Sequence, residues 1–77
     1  MKNVIPRKLL PQISEAIRQA VTEFGHPDDI PLDAMRGGEV PDEVMELCFV
    51  LLTDEDFPSD PAAATAKWLR LIGQYSA

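Results

Sequence analysis

The sequence predicts an all-α domain, a small bundle of three main helices over about residues 11–24, 41–53 and 61–75. Three observations predict it. Apolar residues recur at helical spacing in three separate stretches. Proline and glycine fall mostly between those stretches, where they punctuate elements. No stretch alternates apolar and polar residues with the β-branched enrichment of a strand, so no sheet is expected. One or two short extra helical turns and a long pinned loop over 25–40 complete the expected architecture.

The first helix carries Ile13, Ala16, Ile17, Ala20, Val21 and Phe24 at i, i+3, i+4, i+7, i+8 and i+11, one continuous apolar stripe. Pro11 suits its first turn, where a missing N–H costs nothing. Gly25 can take the left-handed conformation that ends a helix, and Pro27 blocks continuation. A short turn is expected before it, from Arg7 to Leu10. Residues 25–40 read as irregular, with at most one turn near Leu32 to Arg36 that Gly37-Gly38 closes. Ile30, Leu32 and Met35 are the expected pins of this loop.

In the second helix, Val44, Met45, Leu47, Cys48, Phe49, Leu51 and Leu52 span roughly 200° at 100° per residue. So wide an arc predicts a central helix packed on two sides. Asp42 and Glu43 complement the macrodipole in its first turn. Val50 is expected on the solvent side, among acids. Ser59 or Asp60 then caps the third helix, with Pro61 at its first position. Ala64, Trp68, Leu71, Ile72 and Tyr75 form its expected inner stripe.

The 77 residues suffice for one domain, read as a single helical unit over 1–77. So short a chain buries only about 60% of the surface it exposes unfolded, which keeps its stability modest. The single cysteine, Cys48, cannot form an internal disulfide. A small secreted domain often carries several, so a reducing, cytoplasmic setting is expected. The N-terminus has no signal-peptide apolar run, and no stretch is long and apolar enough to span a membrane.

The net charge of −6 is unevenly placed. Residues 25–60 carry eleven acids against the one base Arg36, a net −10, while the stretches on either side are each +2. Such a field repels phosphate backbones and attracts cationic surfaces, which argues against direct nucleic-acid binding.

Candidate chemistry is sparse. His26, the only histidine, reads as a loop residue after a helix C-terminus, where partial positive charge is welcome. Cys48 sits among Leu47, Leu51 and Leu52 and reads as an inert core residue rather than a nucleophile. Asp54, Asp56 and Asp60 begin like a calcium loop. However, positions 6 and 12 hold Ser59 and Thr65 instead of the required Gly and Glu. With one His and one Cys, a zinc site would have to rely on carboxylates and is not expected. Gly37-Gly38 is a turn, not a phosphate loop. No catalytic residue, metal site or cofactor is expected, and an enzyme is not.

In length, acidity and the order helix, long loop, acidic helix, the chain resembles an acyl carrier protein at the level of architecture. That family carries phosphopantetheine on the serine of an Asp-Ser-Leu motif at the start of its second main helix. The nearest triplet here is Asp33-Ala34-Met35, and the only serines are Ser14, Ser59 and Ser76. The resemblance therefore implies at most a carrier-like fold without the prosthetic group. Small acidic immunity proteins against nuclease toxins are similar in size and charge.

The expected function is a non-enzymatic interaction module, an inhibitor or regulator. It would occlude a basic, nucleic-acid-binding surface of another protein with Asp42, Glu43, Glu46, Val50, Asp54, Glu55 and Asp56. The alternative is a homodimer or other homo-oligomeric assembly factor, in which a second copy completes the apolar arc of helix 41–53.

Overall fold

The computed structural model describes residues 5–35 and 38–76, with Met35 described by its backbone only. Three α-helices form the bundle: α1 (Leu10–Phe24), α2 (Asp42–Thr53) and α3 (Pro61–Gln74). Shorter 3₁₀ turns span Arg7–Leu9, Pro27–Asp29 and Leu32–Met35. No strand occurs among the described residues; one isolated parallel bridge joins Ile5 to Ser76.

α1 buries Ile13, Ile17 and Ala20 from its stripe. Gly25 ends it at φ +92°, with its N–H donating to the Val21 carbonyl at 2.7 Å. No neighbour crowds the position, so glycine is favoured there by backbone conformation alone. α2 buries Val44, Met45, Cys48 and Leu52. α3 begins as its sequence dictates: the Asp60 carboxylate accepts the Ala63 N–H at 2.9 Å, and Pro61 follows at the first helical position. Asp60→Ala is therefore expected to cost about 1 kcal/mol. Chemical denaturation followed by helical circular dichroism would measure it, and Asp60→Asn, which keeps a capping oxygen, should avoid most of the loss.

The second helix is packed on two sides, as its wide apolar arc suggests, and α3 is the helix that packs on both of the others. α3 packs on α1, on α2 and on the 27–29 turn, whereas α2 packs on α3 and the 32–35 turn. The width of an arc reports apolarity, and the half-buried Leu47, Phe49 and Leu51 are apolar residues at the edge of the contact. Trp68 of α3 is fully buried. Its indole N–H donates to the Cys48 carbonyl at 2.8 Å, and its ring meets Phe49 in a tilted pair with centroids 5.6 Å apart.

The 25–40 segment holds two 3₁₀ turns where one was expected. Of its expected pins, Ile30 is buried but Leu32 is 45% exposed. The Met35 side chain, the continuation to Arg36 and the Gly37 half of the glycine pair lie outside the described residues. Pro27 and Val40 are buried instead, so the segment is fastened near both ends and residues 31–34 between them face solvent. Ile5 is a further core residue. Its N–H donates to the Tyr75 carbonyl at 3.0 Å, which draws the two ends of the chain together. Tyr75 itself departs from the expected inner stripe. It caps the end of α3, beyond the last buried turn, and is 52% exposed.

Candidate functional site

The sequence-predicted site residues divide between one helix face and the turn that follows it. Asp42, Glu43, Glu46, Val50 and Asp54 are all exposed. At 100° per residue they share the side of α2 opposite Val44, Cys48 and Leu52. Val50, 52% exposed, lies in the middle of these carboxylates. No basic side chain of the described residues pairs with Asp42, Glu43 or Asp54. Glu46 has an interaction of its own within the chain.

Glu55 and Asp56 are placed differently. The Lys67 ammonium of α3 lies 3.4 Å from a Glu55 carboxylate oxygen and donates to the Asp56 carbonyl at 2.5 Å. It also sits 5.0 Å from the centre of the Phe57 ring. Part of the acidic block is thus answered by the chain's own base. Asp60 is likewise engaged as a helix cap, whereas Asp28, Asp29, Glu39 and the Asp56 side chain are exposed outside the α2 face.

The charge order along α2 is unusual. Asp42 and Glu43 in the first turn suit the helix dipole, but Asp54 caps the C-terminus with Glu55 directly after it. The last turn contains no base. Acids at a helix C-terminus each cost about 0.3–1 kcal/mol at low ionic strength. Lys67, reaching over from α3, offsets this for Glu55. Asp54 keeps its unfavourable position.

The residues considered for catalysis are occupied structurally. His26 caps the 27–29 turn: its Nδ1 accepts the Asp28 N–H at 3.0 Å and its Nε2 lies 2.8 Å from the Pro58 carbonyl. A carbonyl only accepts, so Nε2 carries the hydrogen and both nitrogens are engaged. The ring is a tie between the loop after α1 and the loop before α3. His26 comes just after α1, as the sequence suggests, with the Asp28 carboxylate 3.9 Å from its Nδ1. Burial pushes the Cys48 thiol up to about 12, its own backbone hydrogen bond acting weakly in the opposite sense. Such a buried thiol stays protonated at neutral pH.

Among the described residues no group of three or more His, Cys, Asp or Glu side chains is arranged to hold a metal ion. No helix among them is long and apolar enough to cross a membrane. Asp33-Ala34-Met35 forms most of the Leu32–Met35 turn, which precedes α2 in the chain and packs against it.

A shallow groove borders the acidic face. Leu47, Val50 and Leu51 of α2 form one side, Ile5 and Tyr75 the other, and Asp54 closes an end, enclosing about 160 Å³. Sequence reasoning missed it because Ile5 and Tyr75 meet α2 only through the pairing of the chain ends. The chain matches no family model, no curated protein and no solved structure.

Proposed function

We propose that the protein is a non-enzymatic binding module of a reducing, cytoplasmic setting that docks the outer face of α2 onto a basic surface of another protein. The observation that carries this reading is Asp54. It is an exposed carboxylate without a basic partner among the described residues, kept where the helix dipole disfavours it and beside the exposed Val50. Local rules are broken at functional positions more often than elsewhere, because function supplies the compensating gain. Carboxylates of Asp42, Glu43 and Asp54 would occupy cationic sites on the partner, including sites that otherwise receive phosphates. Charge of this kind speeds encounter and selects partners, and contact at Val50 would slow release. An inhibitor or regulator acting by occlusion follows from that chemistry.

The test separates stability from binding. Asp54→Lys removes a carboxylate from a helix C-terminus, so it should leave stability unchanged or raise it by about 0.5 kcal/mol. The same variant combined with Glu43→Lys should lose the partner that the wild-type chain retrieves from the native lysate. That capture should itself fade at about 0.5 M salt. Retrieval of the same partner by the folded double variant, or capture insensitive to salt, would reject the docking face.

A further inference from the structure

We infer that the groove beside the acidic face of α2 receives one aliphatic side chain of a basic amphipathic helix belonging to the partner. This rests on the docking reading above and specifies the partner's segment. The groove's size sets the first limit. About 160 Å³ is small beside the roughly 300–1,000 Å³ of cofactor and substrate pockets, but it admits one leucine or isoleucine side chain. Its walls are apolar: Leu47 and Leu51 are half-buried, and Val50 and Tyr75 are each 52% exposed.

Charge selects the occupant. Glu43, Leu47, Val50 and Asp54 follow one another at i, i+4, i+7 and i+11, so a carboxylate stands at each end of an apolar strip. At 1.5 Å per residue the two carboxylate positions are about 16 Å apart along the axis. A helix lying over the strip would place a leucine in the groove. Lysine or arginine four residues before and after it would lie within reach of Glu43 and Asp54. A second copy of this chain would instead bring acid against acid, since a two-fold interface apposes the same patch. An extended peptide is held by main-chain bonds to an open sheet edge. The described residues offer no strand, and the Ile5 N–H at this groove is already bonded to Tyr75. A helix needs only side-chain contacts.

The probe is a synthetic alanine-rich helical peptide with one central leucine and lysines four residues to either side. Its control carries glutamine for that leucine. Titrated against the full chain, the leucine peptide should bind about tenfold more tightly, as expected for covering one aliphatic side chain in a half-open groove. Val50→Gln should erase that difference, with the helical signal unchanged. Equal binding of the two peptides, with both weakened by Asp54→Lys, would overturn the groove while leaving the acidic docking face standing. No binding of either peptide would overturn the groove proposal, and lysate capture would still decide the docking face by itself. A chain that sediments as a dimer and becomes monomeric on Val50→Gln would give the groove to a second copy and also overturn the proposal.

Discussion

Replacing Trp68 with alanine is expected to remove about 3–5 kcal/mol of stability, most of what a domain this short holds. Trp68 is fully buried at the centre of the α3 packing, and no smaller neighbour can swing in to fill an indole-sized hole. Two further losses come with the volume. The Cys48 carbonyl loses the indole N–H at 2.8 Å, and Phe49 loses its tilted ring partner. For a chain of this length the melting temperature should fall by roughly 20 °C. Trp68→Phe separates the contributions. It keeps an aromatic ring but not the N–H, and should cost about 1–2 kcal/mol. Thermal melts followed at the helical circular-dichroism band would measure both, since the variants lack the only tryptophan. A near-native melt for Trp68→Ala would mean that the core is not assembled around this residue.

Alkaline solution should destabilise the protein through Cys48. Burial raises the thiol from an ordinary value of 9.0 to about 12 in the folded state. The unfolded chain therefore releases this proton first as pH rises. Below about pH 9 both states hold the proton and the thiol has no effect on stability. Between about 9 and 12 the folded state holds more protons, and stability falls by about 1.4 kcal/mol per pH unit. By pH 11 the deficit should approach about 3 kcal/mol. The informative quantity is the difference between wild type and Cys48→Ala at each pH, because every contribution other than the thiol's is common to both. The variant should begin less stable at neutral pH, having lost packing, and should close the gap as pH rises. Parallel curves would mean that the thiol meets water in the native state.

The legible and illegible parts of the fold have separate physical origins. Helical periodicity is local, and it placed all three α-helices within about one residue at each end, along with the buried Trp68 and Cys48 and the exposed Val50. What periodicity cannot carry is which faces meet. The apolar arc of α2 says how much surface wants cover and not what covers it: α3 covers one side and the 32–35 turn another. Ile5, Pro27 and Val40 belong to no periodic run, and their burial follows from contacts remote in sequence. Tyr75 extends the α3 stripe on paper but falls at the helix end, where the core has run out. Leu32 looked like a pin because it is leucine, and the burial of Ile30 and Val40 left it on the outside.

The site follows the same division. The acidic face with Val50 was legible because it lies on a single helix. Lys67 reaching Glu55 and Asp56, and His26 bonding near Pro58, are ties across the fold that no local pattern announces. Among them, the Lys67–Glu55 pair is the one that engages a carboxylate. Of the −10 block seen along the chain, Asp42, Glu43, Glu46 and Asp54 share one face of α2, while Asp28, Asp29, Asp33 and Glu39 are exposed on the preceding segment.

Amide chemical-shift mapping of the isotope-labelled chain, titrated with the partner it captures, would test the docking face residue by residue. Shifts should concentrate between Asp42 and Asp54, with Tyr75 joining if the groove is filled, and should shrink together as salt is added. Shifts gathered instead on α1 or on the 27–29 turn, with α2 silent, would contradict the proposed role of the acidic helix.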